Sequence, residues 1–267
     1  SVIAVYSHAN QAEEALNLFY RMHIERVEPN KAIFVCVIDA CAILGAHDQG
    51  LMAHAYAVEM NYDQDMIVEN ALVNLYGKCG SLPDARSMFD SIAEPDDISW
   101  ASVMGAYSSC GCSNEVLDLF YRIWHVKSGE PDNTCFTCVL LACNHDGRVD
   151  ESVHLFMLMI KNYRILGNKD QYLCMVDLLG RSGCLDAAEN LAKRLPPEHA
   201  SSAWQCVLAA CRVHIDVERG VRAAIECLNL DPDDPAPYIL LSNLYASTEL
   251  LPDLYAFFCV DKKTIDC

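Results

Sequence analysis

The chain has 267 residues, 52% of them in the apolar set Ala, Val, Ile, Leu, Met, Phe, Trp, Tyr and Cys, which fills the core of one or two ordinary domains or one elongated array and excludes disorder as the main state. Its 19 Lys and Arg against 37 Asp and Glu leave a formal net charge of -18, which excludes a generic charge-driven nucleic-acid binder, because non-specific affinity comes from cations that displace counterions from phosphate. The 15 cysteines are odd in number, and no charged, apolar and cleavable signal opens the chain, so reduced and mostly buried thiols are expected rather than a disulfide scaffold.

Taken in chain order, one short apolar phrase keeps returning. It reads Ser1-Val-Ile-Ala-Val-Tyr, Cys36-Val-Ile-Asp-Ala-Cys, Ala71-Leu-Val-Asn-Leu-Tyr, Ser102-Val-Met-Gly-Ala-Tyr, Cys138-Val-Leu-Leu-Ala-Cys, Cys174-Met-Val-Asp-Leu-Leu and Cys206-Val-Leu-Ala-Ala-Cys, and it begins again at Leu240-Leu-Ser-Asn-Leu-Tyr. Four residues after most of these phrases stands a glycine, Gly45, Gly80, Gly111, Gly147 or Gly183, able to take the left-handed conformation that ends a helix. A second amphipathic segment follows, as in Ala12-Glu-Glu-Ala-Leu-Asn-Leu-Phe or Leu82-Pro-Asp-Ala-Arg-Ser-Met-Phe, with apolar residues at spacings of three and four. Each unit therefore reads helix, tight turn, helix, at a period of about 31 to 36 residues. A hairpin of that size cannot bury its apolar face alone, so the pattern predicts an all-α solenoid in which stacked neighbours supply the core. The longest apolar stretches, Phe34 to Ala46 and Tyr255 to Val260, are interrupted by Asp39 or fall far short of the ~20 residues of a membrane span, and a soluble protein is expected. The chain opens on Ser1 rather than Met and runs at once into helical sequence, which places any targeting segment upstream.

The ends of the units carry phrases of their own. Met22-His-Ile-Glu-Arg-Val-Glu-Pro-Asn30 closes its unit much as pentatricopeptide repeats close, and Asn70 to Asp90 resembles the short repeat of the plant-type subclass with alternating P, L and S repeats. Tyr172 to Ala188 is similar to the last short repeat of that subclass. Trp204 to His214, Leu228 to Asp233 and Tyr238 to Ala246 resemble its C-terminal E motifs. The resemblance implies a right-handed superhelical α-solenoid with units at 1–30, 31–65, 66–96, 97–132, 133–168 and 169–200, followed by E-like units at 201–234 and 235–267. The last unit departs from the pattern, with Leu250-Leu-Pro-Asp-Leu-Tyr-Ala-Phe-Phe-Cys-Val260 in place of a basic helix, and no deaminase domain follows within these residues.

The resemblance further implies that the fifth and final residues of a unit read one RNA base. The pairs are Val35 with Asp65, Asn70 with Asp96, Ala101 with Asp132, Thr137 with Asn168, and Leu173 with Ala200. Asn70 with Asp96 would address uracil and Thr137 with Asn168 adenine, whereas Ala101 and the Leu173 pair offer little to a base edge. Second-position residues, Ile67 and Ile98, would flank the base as apolar shelves. Asp65, Asp96 and Asp132 also stand where a helix N-cap is favourable, a role that contributes about 1 kcal/mol by itself. Phosphate attraction would fall to a few cations such as Lys78, Arg148 and Arg181.

Cys135-Phe-Thr-Cys138 with Cys143 and His145 has a metal-like spacing, yet Cys41, Cys143 and Cys211 recur at one place in the repeat, and helix packing is the simpler account. His23-Ile-Glu25 matches half of a zinc-deaminase signature without its Pro-Cys-x-x-Cys half. Met88 and Phe89 repeat the core positions of Leu18 and Phe19, and Asp231-Pro-Asp-Asp234 lacks a calcium-loop spacing. Neither a cofactor nor catalysis is expected. The resemblance implies a sequence-specific single-stranded RNA adaptor of an organelle, mitochondrion or alternatively plastid, that selects a C-to-U editing site and recruits a deaminase or editing cofactor protein in trans through 201–267. The charge of -18 supports an alternative, a protein-interaction scaffold.

Overall fold

The computed structural model describes residues 11–125 and 131–248, and every regular element among them is a helix. The opening phrase Ser1 to Tyr6 and the segment Leu250 to Val260 lie outside the described residues. The chain divides into two compact units, residues 1–142 and 143–267. The first holds α1 (Ala12–Ile24), α2 (Lys31–Leu44), α3 (His47–Glu59), α4 (Met66–Lys78), α5 (Leu82–Ser91), α6 (Asp97–Ser109), α7 (Ser113–His125) and most of α8 (Asn133–Asp146). The second holds α9 (Val149–Lys161), α10 (Lys169–Arg181), α11 (Leu185–Ala192), α12 (Pro197–His214), α13 (Val217–Leu230) and α14 (Ala236–Ala246).

Helix starts are set by short polar side chains at the predicted unit ends. Asn30 accepts the Ile33 amide at 3.1 Å ahead of α2, and Asp65 accepts the Ile67 amide at 3.1 Å ahead of α4. Each such bond satisfies one of the amides a helix start leaves open. At the other end Gly45 takes φ 62°, which lets the Ala46 amide donate to the Cys41 carbonyl at 2.9 Å and close α2. Gly80, Gly111, Gly147 and Gly183 share that left-handed conformation, as the phrase spacing predicts. At the sixth such place, after α12, the sequence supplies Ile215, which is nonetheless held at φ 57°.

Within each unit the helices pack with neighbours in sequence and with the helix two places on. In the first, α2, α4 and α6 lie side by side; in the second, α10 and α12 do. Small residues permit the approach: a Cβ built on Gly77 of α4 would lie 2.4 Å from the Ala106 Cβ of α6, and one on Gly180 of α10 would lie 2.8 Å from that of Ala210 on α12. Aromatic pairs join four of the hairpins to the next, with ring centroids at 6.0 Å for Phe19 and Phe34, 4.8 Å for Phe89 and Trp100, 5.1 Å for Phe120 and Phe136, and 5.3 Å for Phe156 and Tyr172. Such pairs add about 0.5–1.5 kcal/mol each beyond the area they bury. The core is thus built between hairpins, as the repeat logic requires. In the second unit a charged knot backs this packing: Arg219 bonds Glu189 at 2.8 Å and Asp216 at 3.1 Å and also reaches Asp186, while Lys193 bonds the other Glu189 oxygen at 2.8 Å.

Candidate nucleic-acid interface

The parallel first helices α2, α4 and α6 line up one stripe of side chains from each. On α4 the stripe is Asn70, Asn74 and Lys78, residues one turn apart on a single face. Between these helices lies a cleft of about 250 Å³ lined by, among others, Val35, Asp39, Ile67, Asn70, Asn74, Asp96, Ile98 and Ser102. It brings together five of the residues singled out in the sequence: Val35, Ile67, Asn70, Asp96 and Ile98.

Asn70 and Asp96, 26 residues apart, meet at its centre. The Asn70 amide nitrogen donates to Asp96 Oδ1 at 3.2 Å, and the same oxygen accepts the Ser99 amide and the Ser99 hydroxyl, each at 2.8 Å. Burial pushes the Asp96 carboxyl up, but these hydrogen bonds outweigh it, and the group lies below the usual carboxylate range. It is an anion at neutral pH. The Asn70 Oδ1 is buried without a partner, so the amide is held by its nitrogen side. An amide donor fixed beside a carboxylate acceptor is a surface to which a base edge can hydrogen-bond. Flanking it, Ile67 and Ile98 are 55% and 63% exposed at the second positions of α4 and α6, two apolar shelves open to solvent.

The other predicted readers are differently placed. Asp65 is engaged twice, capping α4 and accepting from the Lys31 ammonium at 3.1 Å, and that hydrogen bond holds its carboxyl below the ordinary range. Its partner in the pair, Val35, is half-buried and has no polar group. Asp132 caps α8 by accepting the Cys135 amide at 2.7 Å. Ala101 lies in a smaller cleft of about 110 Å³ with Asn74, Lys78, Ser102 and Gly105. Thr137 donates to the Asn133 carbonyl of its own helix at 2.9 Å, whereas Asn168 caps α10 by accepting the Gln171 amide at 2.9 Å. Those two residues belong to different compact units. Leu173 is half-buried, and Ala200 is buried in the first turns of α12, which starts at Pro197.

Two of the three cations proposed for phosphate are already committed, a correction to the sequence reading. Arg148 pairs with Asp146 at 3.0 Å and Glu151 at 3.4 Å, and Arg181 pairs with Asp177 at 3.1 Å and donates to the Asn144 carbonyl at 2.8 Å. Lys78 is exposed, with no ion pair among the described residues. The cysteine cluster resolves into packing: Cys135 and Cys143 are buried in α8, and burial pushes the Cys143 thiol up to about 12. Among the described residues no group of three or more His, Cys, Asp or Glu side chains is placed to hold a metal ion. His23 packs edge-on against the Tyr56 ring at 5.0 Å.

Known proteins show the same repeat. A family model for the PPR repeat matches residues 1–27, 70–94, 98–125 and 134–163. Pentatricopeptide repeat-containing protein At4g30700 of Arabidopsis thaliana is 33% identical over 253 residues, which is 94% of this chain and 32% of that protein. The chain belongs to the pentatricopeptide repeat family. Other family members from the same plant are as similar. At5g40410, mitochondrial, is 35% identical over 95% of this chain and 41% of its own length, and At3g57430, chloroplastic, is 34% identical over 94% and 29%. The chain thus spans 29% to 41% of the length of these relatives. Among solved structures, the pentatricopeptide repeat protein PPR10 in complex with an 18-nt psaJ RNA element superposes with a TM-score of 0.57 at 18% identity, over 98% of this chain and 38% of that one. A tetratricopeptide repeat protein from Parabacteroides merdae reaches 0.55 at 13% identity, over 91% and 95%. Both likenesses bear on the α-solenoid fold alone, and it is the repeat sequence that separates the two families.

Sequence reasoning passed over Asn74, Ser102 and Lys31. For Asn74 the signal was present, since Asn70, Asn74 and Lys78 are spaced by four. For Lys31 it was not, because its contact with Asp65 depends on which helices become neighbours.

Proposed function

We propose that the chain is a single-stranded RNA-binding module of an organelle that selects its site by base identity, without catalysing a reaction itself. The observation that carries this reading is the Asn70–Asp96 pair, a hydrogen-bonding surface set between the exposed Ile67 and Ile98 in an open cleft. A flat base fits between two apolar shelves with its edge on the polar pair, which is how repeat arrays read one base per unit. The PPR10 complex with RNA supports the ligand class, and the mitochondrial and chloroplastic names among the relatives support an organelle. Within that reading, the alternating P, L and S repeats over 1–200 and the E-like units over 201–267 make the chain part of a C-to-U editing-site recognition factor, with the deaminase supplied in trans through 201–267.

Selection of bound RNA from a randomised pool at low salt, comparing the full chain with its Asn70→Ala, Asp96→Ala double variant, tests base reading. The expected result is a short enriched motif with a uracil position that blurs in the variant while the other positions persist. A uniform loss of binding across all sequences refutes it. The net charge of -18 and the internal pairing of Arg148 and Arg181 favour a second reading, an acidic scaffold for a basic protein. That reading requires salt-sensitive protein binding and no enriched RNA.

A further inference from the structure

The cleft contains a polar side chain to which neither the capping of helices nor the base-reading pair assigns a role. Asn74 lies one turn, about 6 Å, beyond Asn70 on the same face of α4, and Lys78 lies one turn further. Asn74 lines both the cleft of about 250 Å³ around Asn70 and the smaller cleft of about 110 Å³ around Lys78, so it stands at their junction. It is half-buried, and its amide makes no hydrogen bond among the described residues. Ser102 of α6, which lines both clefts as well, is in the same condition. Half-exposed amide and hydroxyl groups with no protein partner are open to the hydrogen bonds of a ligand.

We propose that Asn74, with Ser102 facing it from α6, reads the ribose 2′-hydroxyl of the nucleotide whose base meets Asn70 and Asp96, and so distinguishes RNA from DNA at this site. The inference rests on the base-reading function proposed above. The chemistry of the stripe matches a nucleotide in order: a fixed donor and acceptor for the base edge at Asn70 and Asp96, neutral amide and hydroxyl groups one turn on, and a cation at Lys78 for phosphate. A 2′-hydroxyl is at once donor and acceptor, and an amide side chain offers both in return. Phosphate suits this central position poorly, because Asp39 lines the same cleft from α2.

The test uses the full 267-residue chain and the RNA it selects from a randomised pool. Single 2′-deoxy substitutions are walked along that RNA, and binding is measured for the unaltered chain, Asn74→Ala, Asn74→Asp and Asn70→Ala. One deoxy position is expected to weaken the unaltered chain about threefold to tenfold, the worth of one hydrogen bond. Asn74→Ala should bind the all-ribose RNA more weakly by a similar factor and be indifferent to that deoxy substitution. Asn74→Asp should lose more, since it brings a third carboxylate to a cleft that already holds Asp39 and Asp96, and circular dichroism checks that both variants remain helical. Asn70→Ala should lose base preference and keep the deoxy penalty. An unchanged deoxy penalty in Asn74→Ala overturns the sugar-reading role and leaves base reading standing. No enriched RNA, or no effect of Asn70→Ala on base preference, overturns the base-reading function and this inference with it.

Discussion

Two glycines on adjacent helices give the packing argument its sharpest test, because the same substitution should act with opposite sign. Gly77 on α4 and Gly105 on α6 both sit within helices, where replacing glycine by alanine gains about 1 kcal/mol of backbone propensity. At Gly105 nothing lies within 4 Å of the added methyl, so Gly105→Ala should keep most of that gain. At Gly77 the new methyl would meet the Ala106 Cβ at 2.4 Å and its Cα at 3.1 Å. Carbon atoms settle at about 3.5–4.0 Å, and neither of these can rotate away, so α4 and α6 must separate. Overpacking of this kind costs about 1–3 kcal/mol, and set against the propensity gain it leaves Gly77→Ala less stable by up to about 2 kcal/mol. Urea denaturation followed by far-UV circular dichroism, with slopes compared to detect loss of cooperativity, measures both variants against the parent. The displacement should also lengthen the 3.2 Å bond between Asn70 and Asp96, so Gly77→Ala should blur base preference while Gly105→Ala leaves it intact. If Gly77→Ala proves as stable as Gly105→Ala, the close approach of the first helices is not what aligns the cleft, and the reasoning fails.

Two further outcomes follow from local chemistry. Ile215 stands in the left-handed place that glycine fills elsewhere in the repeat, at φ 57° with 60% of its surface exposed, so Ile215→Gly relieves about 1–2 kcal/mol of strain, offset by about 0.4–1 kcal/mol of added freedom in the unfolded chain. The denaturation midpoint should rise slightly, and a fall shows that the Ile215 side chain supplies packing of greater value. Glu189 is held below the ordinary range chiefly by its hydrogen bond from Lys193, with Arg219 adding to it. A depressed carboxyl contributes stability that is present above its unfolded pKa, near 4.5, and is lost as pH falls through the lower folded value. Stability should therefore drop below about pH 4.5, whereas Glu189→Gln should cost about 1–3 kcal/mol at pH 7 and flatten that acid-side slope in denaturation series run from pH 7 to pH 3. An unchanged slope would assign the acid sensitivity to other carboxylates.

What could be read from the sequence was what depends on near neighbours along the chain. The recurring apolar phrase, the glycine four residues beyond it and the Asp before the next helix are local devices, and Gly45, Asp65 and Asp96 perform the local roles their positions suggested. The same locality let Ile215 pass unnoticed, because an absent glycine leaves no mark in a pattern of apolar residues. Electrostatics was the least legible part. Arg148 and Arg181 look like free cations when an acidic chain is read for phosphate contacts, but the turn at Gly147 brings Asp146 to Arg148 and the four-residue spacing on α10 brings Asp177 to Arg181, each at about 3 Å. Of these three cations Lys78 has no ion pair among the described residues, and it is aligned with Asn70 and Asn74.

Capping and base reading are commonly set against each other at a residue such as Asp96, and the geometry removes the conflict. A cap needs one carboxylate oxygen on the amides of the next helix, and Asp96 Oδ1 meets that need through Ser99. Capping does not require Asn70, which reaches the same oxygen from the preceding hairpin. The equivalent residue Asp132 caps just as well, yet Ala101 gives it no polar group to hold, and Asp65, whose partner in the pair is the aliphatic Val35, is held by Lys31. Asp65, Asp96 and Asp132 all cap, but in the proposed reading a cap also becomes a fixed edge for a base only where an amide stands at the fifth position of the same unit. Among the pairs named from the sequence, the proposed base preference rests on the one that joins α4 and α6, and that is why a single methyl at Gly77, two turns along from Asn70, is expected to be felt in base preference as well as in stability.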